Sequence, residues 1–246
     1  MNVSAIVVSH GNAAELSRSL PALRPQVDEL LVIANVPGSV PPGLEALENR
    51  EPLGFAANIN LGLSRTSGEA VLTVNPDAVP EPDAVAALAG FMAENVRCGV
   101  AGPRMLFPDG SPQPSRRRFP TVGGTVVRRT PLRKVVHQQH HYHLDEPDPA
   151  GPVQADWMLG GFLLLRRAML EELGGFDEHF RLYGEDIDLQ YRAMLAGWER
   201  WYVPEAVVRH EHKAVTDSRW LTQRTIWHWR GIARFVRKHP ERLRAL

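Results

Sequence analysis

Ala70-Val71-Leu72-Thr73-Val74 runs without a charge into Asn75-Pro76-Asp77. A short apolar run of this kind is what a strand covered on both faces looks like, and such strands belong to parallel sheets with helices packed on either side. Asn-Pro stops the strand, so Asp77 falls just past its carboxyl end. Ligands of open α/β sheets bind at that edge, and a carboxylate placed there can hold a metal or a sugar nucleotide.

The pattern repeats in both directions. Ala5-Ile6-Val7-Val8 and Leu30-Leu31-Val32-Ile33 predict two further buried strands. Between them a helix is expected from an Asn12 cap with Glu15 three residues on, its apolar stripe made by Leu16, Leu20 and Leu23, with Pro21 bending or ending it. Phe55 to Leu63 predicts a second helix stopping before Gly68, and Pro82 opens a third with Val85, Leu88 and Met92 on one face. Alternating strands and helices imply an α/β fold with crossover connections, the first 106 residues forming a nucleotide-binding half. Residues 107–155 lose apolar periodicity and predict a loop-rich segment. Order resumes in 156–215, with a strand at Phe162-Leu163-Leu164-Leu165 and a short helix from Ala168 to Leu173. A further helix is expected from Gly184-Glu185-Asp186-Ile187-Asp188, burying Ile187, Tyr191, Met194 and Leu195 and stopping at Gly197. Residues 216–246 predict a basic amphipathic C-terminal helix. The whole reads as one domain.

Composition narrows the function. Hydrophobic residues at 43% and charged residues at 23% of 246 are those of a globular chain. Lys+Arg 28 against Asp+Glu 28 gives a net charge of +0, which excludes a chain-wide nucleic-acid footprint. Cys98 is the one cysteine, so no internal disulfide can form and a reducing, cytoplasmic setting is expected. No secretory leader or spanning segment is evident in the sequence.

Asn75-Pro76-Asp77 taken alone is also what an ordinary surface turn looks like, and Glu185, Asp186 and Asp188 are what a helix start looks like when acidic side chains complement its dipole. The chemical alternative is specific. Asp77 can ligate Mg²⁺ or Mn²⁺, hard cations that prefer oxygen and bridge to diphosphate. Asp186, kept ionised by the helix dipole, can act as a general base.

The chain resembles family 2 inverting glycosyltransferases of the GT-A fold, among them bacterial rhamnosyltransferase-like members. The resemblance rests on an ordered series: Val7-Val8-Ser9, Glu51 to Gly62, Asn75-Pro76-Asp77, Asp109-Gly110 through Arg118-Phe119-Pro120, Asp156 to Gly161, Gly184 to Leu189, and Val207-Val208-Arg209-His210. It implies a Rossmann-like half with a mostly parallel central sheet plus an acceptor-binding half. It implies Asp77 as the last position of a DXD-like metal motif, His210 as completing the metal site with His212 as a second candidate, and Asn75 near the ribose or diphosphate. Asp186 would be the base and Glu185 would orient acceptor or base. Gly54, Phe55 and Asn58 would wall the nucleotide, and Gly160 would line the donor site. The implied partners are a nucleoside-diphosphate sugar, most simply deoxythymidine-diphosphate rhamnose, and a hydroxyl on a glycan or lipid-linked acceptor.

Two departures bear on base recognition. Ala34-Asn35 stands where relatives often carry Asp-Asn, and His10-Gly11 where they carry Tyr-Asn, leaving Ser9 and Asn35 to take the contact. Alternative readings are the same chemistry with a uridine-diphosphate hexose, a nucleotidyltransferase and an inactive carbohydrate-binding relative. A nucleotidyltransferase would carry a Gly-rich basic loop after the first strand, which Ser9-His10-Gly11-Asn12 is not. The cluster His137, His140, His141 and His143 is read as a solvated loop without ligand spacing. Arg116, Arg117, Arg118, Arg128, Arg129, Arg133 and Lys134 fit either an acceptor phosphate or anionic lipid, or an exposed basic face. Trp220, Ile226, Trp227, Trp229, Ile232, Phe235 and Val236, interleaved with Arg224, Arg230, Arg234, Arg237 and Lys238, can lie peripherally on a membrane or pack on the domain.

Overall fold

The structure is a computed structural model that describes residues 1–119, 143, 146–180, 183–211 and 223–243. His137, His140, His141, Arg128, Arg129, Arg133, Lys134, His212 and Trp220 lie outside the described residues, as do the side chains of Arg224 and Ile226. The strands are β1 (Val3–Ser9), β2 (Glu29–Ala34), β3 (Leu47–Glu48), β4 (Ala70–Val74), β5 (Ala78–Pro80), β6 (Cys98–Leu106), β7 (Pro112–Gln113), β8 (Arg116–Arg117), β9 (Val153–Gln154), β10 (Trp157–Met158), β11 (Phe162–Arg166) and β12 (Glu199–His210). The helices are α1 (Ala13–Leu23), α2 (Phe55–Leu63), α3 (Ala84–Glu94), α4 (Arg167–Leu173), α5 (Glu185–Leu195) and α6 (Gln223–Lys238).

One sheet carries the molecule, in the order β3-β2-β1-β4-β11-β6-β12-β5. Strands β1, β2, β3 and β4 are mutually parallel, as are β6 and β12, while β11 runs antiparallel between β4 and β6. Both faces are buried, as the apolar runs require. Val3, Ala5 and Val7 point to the side covered by Leu16, Leu20 and Leu23 of α1 and Leu88 and Met92 of α3. Ile6, Val71, Leu163 and Leu165 point to the other side, under Ala56 and Ile59 of α2, Met169 and Leu170 of α4 and Leu189 and Ala193 of α5. Ile6, Leu16, Leu72 and Phe162 are wholly buried, each contributing about 2–3 kcal/mol of hydrophobic stabilisation.

Several expectations need correction. Helix α1 continues through Pro21 to Leu23 and tightens into a 3-10 turn over Arg24–Gln26. Asn12 holds the cap position without a side-chain cap bond, because its Oδ1 accepts from the His10 amide. Strands β6 and β12 were not expected; Gly99, Gly102 and Pro103 interrupt the first and Pro204 the second, where the register shifts between Val203 and Val207. Helix α5 buries Tyr191, with Ile187 and Met194 packed beside it as expected, but its buried face is wider: Asp188, Leu189, Gln190 and Ala193 also lie inside, and Leu195 is 61% exposed. Polar residues are tolerated there because they are paired. Gln190 donates to the Met158 carbonyl and accepts from its amide, and Asp188 meets Arg192, Lys238 and His239.

Helix α6 packs on the domain through its aromatic side. Tyr191 meets Phe235 and His239 edge-on, and Arg234 and Lys238 bind Asp177. Its opposite side keeps Trp229, Arg230 and Arg237 in solvent. Cys98 is fully buried, and burial pushes its thiol up to about 12, so it is no nucleophile.

Candidate active site

Three strand ends bring the acidic and metal-type side chains together. β4 ends at Asn75, and the turn Asn75-Pro76-Asp77 closes with the Ala78 amide on the Asn75 carbonyl. β5 then pairs antiparallel with the end of β12, placing Ala78 opposite His210. Asp77 and His210 are therefore neighbours by register: His210 Nε2 lies 3.3 Å from Asp77 Oδ1 and 3.3 Å from Asn75 Nδ2. His210 is 3% exposed, and its other nitrogen, Nδ1, lies 3.0 Å from Gln113 Oε1.

Two adjacent glycines link this cluster to the acidic helix. The Asn75 amide donates to the Gly161 carbonyl at 2.8 Å, and the Gly160 amide donates to Asp186 Oδ2 at 3.1 Å. A Cβ at Gly161 would stand 3.2 Å from Asn75 Nδ2 and 3.3 Å from His210 Cε1, and one at Gly160 would stand 3.3 Å from Asp186 Oδ2. Since successive Cα atoms are about 3.8 Å apart, the Asp186 carboxylate and the His210 ring are separated by no more than about 13 Å. The absence of side chains at 160 and 161 keeps the backbone close to both groups.

Asp186 sits in the first turn of α5, after Tyr183 (φ 70°) and Gly184 (φ 97°), both left-handed. Its Oδ1 accepts from the Ile187 amide at 2.9 Å. Burial raises its pKa; the Ile187 and Gly160 amides and the charge of Arg117 pull the other way. Glu185 is 7% exposed, with Oε2 lacking a hydrogen-bond partner among the described residues. Burial, then the neighbouring Asp186 charge, pushes it up to about 8. Burial raises both carboxyls of the pair, and the Ile187 and Gly160 amides favour the ionised form at Asp186. Arg117, on β8, is fixed by its Nε donating to the Pro114 carbonyl and by lying 5.2 Å over the Trp157 ring. Arg116 and Arg118 converge on Glu146, at 3.0 and 2.6 Å, and His143 joins them at 2.9 Å. These arginines are paired with a carboxylate rather than forming an open basic face.

The nucleotide-side residues are engaged by protein. Asn35 Oδ1 accepts from the Leu53 amide, Asn49 Nδ2 and Asn58 Nδ2, while its Nδ2 donates to the Leu53 carbonyl and faces His10 Nδ1 at 3.1 Å. Asn58, fully buried, also donates to the Gly54 carbonyl. Ser9 Oγ donates to the Ser39 carbonyl and accepts from the Asn12 amide. Asn35 and Asn58 thus shape the loop from Asn49 to Gly54 through their side chains, while Ser9 ties the end of β1 to Ser39. Gly54 caps α2, and Phe55 is partly exposed and meets Phe176 edge-on.

Among the described residues no three His, Cys, Asp or Glu side chains form a metal cage. Asp77, His210 and the Asn75 amide are instead a partial oxygen and nitrogen donor set, which suits a divalent cation that keeps its remaining positions for phosphate and water. Gln113 is not singled out by the sequence, since it stands at no spacing that marks chemistry, and Arg117 is marked there only as part of a basic cluster and not as a neighbour of Asp186.

Comparison with known proteins agrees with this architecture. A family model described as glycosyltransferase like family 2 matches residues 28–229. The N-acetylglucosaminyl-diphospho-decaprenol L-rhamnosyltransferase of Mycobacterium tuberculosis is 32% identical over 197 residues, covering 72% of this chain and 62% of that protein. The chain thus spans less than two thirds of that relative's length. Among solved structures, GalNAc-T7 with UDP, GalNAc and Mn²⁺ superposes with a TM-score of 0.64 at 16% identity, over 85% of this chain and 43% of that one. The mannosyltransferase PcManGT of Pyrobaculum calidifontis, with GDP-Man and Mn²⁺, superposes with a TM-score of 0.55 at 17% identity, over 98% and 72%. At these identities the structural likeness establishes the GT-A fold.

Proposed function

The chain belongs to glycosyltransferase family 2, and on that premise we propose that it moves a hexose, rhamnose from its deoxythymidine-diphosphate donor, with inversion onto a hydroxyl of a glycan or lipid-linked acceptor. The observation that carries this reading is the approach of Asp186 to Gly160 and of His210, with Asp77 beside it, to Gly161. The choice of rhamnose is supported by the activity named for the mycobacterial relative.

Asp77 and His210, with Asn75 beside them, are the residues that would hold Mg²⁺ or Mn²⁺. A cation held by these residues would stabilise negative charge on the departing diphosphate. Asp186 takes the proton of the acceptor hydroxyl as its oxygen bonds to the anomeric carbon, and the electron pair of the broken C–O bond leaves with the nucleoside diphosphate. A single displacement from the opposite face inverts the anomeric centre. Glu185, protonated, adds no second negative charge beside the base and offers an O–H donor to orient it or the acceptor. The Arg117 charge opposes the burial that raises the Asp186 pKa and so favours its carboxylate form. Gly54 and Phe55 wall the nucleotide, at the end of a loop braced by Asn35 and Asn58.

No helix among the described residues is long and apolar enough to cross a membrane. The exposed Trp229, Arg230 and Arg237 of α6 would rest on the cytoplasmic membrane face, where a lipid-linked acceptor is presented. Calorimetric titration of deoxythymidine-diphosphate rhamnose and of uridine-diphosphate hexoses, with and without Mn²⁺, followed by mass spectrometry of products from an acceptor panel, tests the assignment. Saturable, Mn²⁺-dependent binding of the rhamnose donor is expected. Binding of uridine donors alone would replace the donor, and binding of none would remove the reading.

A further inference from the structure

Gln113 is a buried polar residue with only half of its amide in use. It is 5% exposed, its Oε1 lies 3.0 Å from His210 Nδ1, and its Nε2 has no hydrogen-bond partner among the described residues. The short strand β7 exists to place it: Met105 of β6 pairs with Gln113, and β6 pairs in parallel with the end of β12, which delivers His210. A buried amide with an unsatisfied N–H costs about 1–3 kcal/mol, so an apolar side chain would serve packing alone better. What the glutamine supplies that an apolar residue cannot is an acceptor at Nδ1.

We infer that Gln113 is a positioning residue for His210: its amide oxygen takes the Nδ1 proton and thereby fixes the imidazole tautomer whose Nε2 lone pair is directed at the Asp77 and Asn75 side. This rests on the reading that Asp77 and His210 hold the cation. A neutral imidazole has one protonated nitrogen and one lone pair, and the bond at Nδ1 decides which nitrogen is which. With Nε2 unprotonated, Asn75 Nδ2 at 3.3 Å donates to it, but Asp77 Oδ1 at 3.3 Å faces it lone pair to lone pair. A cation shared by the two removes that repulsion. The opposite amide orientation would donate to Nδ1, put the proton on Nε2 and leave a simple His–Asp hydrogen bond with no ligand nitrogen.

The test is Mn²⁺ affinity, read from the electron paramagnetic resonance of free Mn²⁺ with saturating deoxythymidine diphosphate, and in parallel with uridine diphosphate. Gln113→Met, nearly isosteric but without an acceptor, is expected to weaken Mn²⁺ binding about 10–100-fold. Gln113→Glu keeps the acceptor and is expected to stay within about threefold of the parent, and the Gln113→Met, His210→Ala double variant to bind no more weakly than His210→Ala. A purely structural glutamine would give the reverse order, because a buried carboxylate would disturb packing most. Parent-like binding by Gln113→Met while His210→Ala is impaired, or equal losses in Gln113→Met and Gln113→Glu, would overturn the inference. Parent-like binding by both His210→Ala and Asp77→Asn would instead overturn the cation site itself.

Discussion

Replacing Glu185 by Gln should make the protein more stable, by an amount that grows with pH. The folded state holds this carboxyl with its proton up to about pH 8, against a usual value of 4.5. Below pH 4.5 the group is protonated in both folded and unfolded chains, so stability has its full value there. Above it the unfolded chain ionises and the folded one does not, and each unit of pH removes about 1.4 kcal/mol until the folded group ionises as well. At pH 7 the accumulated loss is about 3 kcal/mol. Glutamine keeps the shape and cannot ionise, so Glu185→Gln escapes the loss while bearing the same unsatisfied buried oxygen or amide. Urea unfolding of both proteins at half-unit steps from pH 4 to pH 9 reads the difference. It should be near zero at pH 4, rise through pH 5 to 8 and level off. Part of the rise should disappear when Asp186 is also Asn, because the Asp186 charge is the second cause of the shift. A difference that does not vary with pH would show that Glu185 is ionised in the folded protein, and the division of labour between the two carboxyls would be wrong.

Other expectations follow from the same contacts. Arg117→Leu removes a charge that opposes the burial-driven rise of the Asp186 pKa, so the acid limb of the transfer pH profile should move upward; an unmoved limb would separate Arg117 from the base. Asp188→Ala leaves Lys238, His239 and Arg192 without their shared buried carboxylate and should cost about 3–5 kcal/mol in urea unfolding, whereas a cost under 1 kcal/mol would mean α6 is not clamped to α5. Gly161→Ala forces a Cβ against Asn75, Met105 and His210 and should weaken Mn²⁺ binding more than it lowers the melting temperature, an order that unchanged Mn²⁺ affinity would contradict. Asn35→Ala strands the Leu53 amide and takes one acceptor each from Asn49 and Asn58 and should destabilise by about 1–3 kcal/mol, while a parent-like melt would show the loop from Asn49 to Gly54 stands without it.

Much of this molecule was legible because apolar continuity is a strong signal. Ala5 to Val8, Leu30 to Ile33, Ala70 to Val74 and Phe162 to Leu165 became β1, β2, β4 and β11, each at the place its run of buried side chains indicates. Strands β6 and β12 escaped notice since glycine and proline break their runs, and only pairing with neighbours on both sides makes them strands. The face of α5 is legible at Ile187, Tyr191 and Met194 but not at Asp188. Hydropathy puts Asp188 outside, but ion pairs with Lys238 and His239, about fifty residues downstream, hold it inside. At the site, Asp77 and Asp186 could be nominated from their place at a strand end and a helix start. Gln113 could not, because its role lies in one hydrogen bond across 97 residues of sequence.

The central claim is that Asp186 acts as the base in a pocket whose donor end is held separately by Asp77 and His210. Single-turnover transfer by Asp186→Asn, with donor and Mn²⁺ affinity measured on the same preparation, tests it most directly. The expected result is donor and Mn²⁺ binding within about threefold of the parent and a transfer rate lower by roughly 10²–10⁴. Transfer at the parent rate, or loss of donor binding together with turnover, would contradict it.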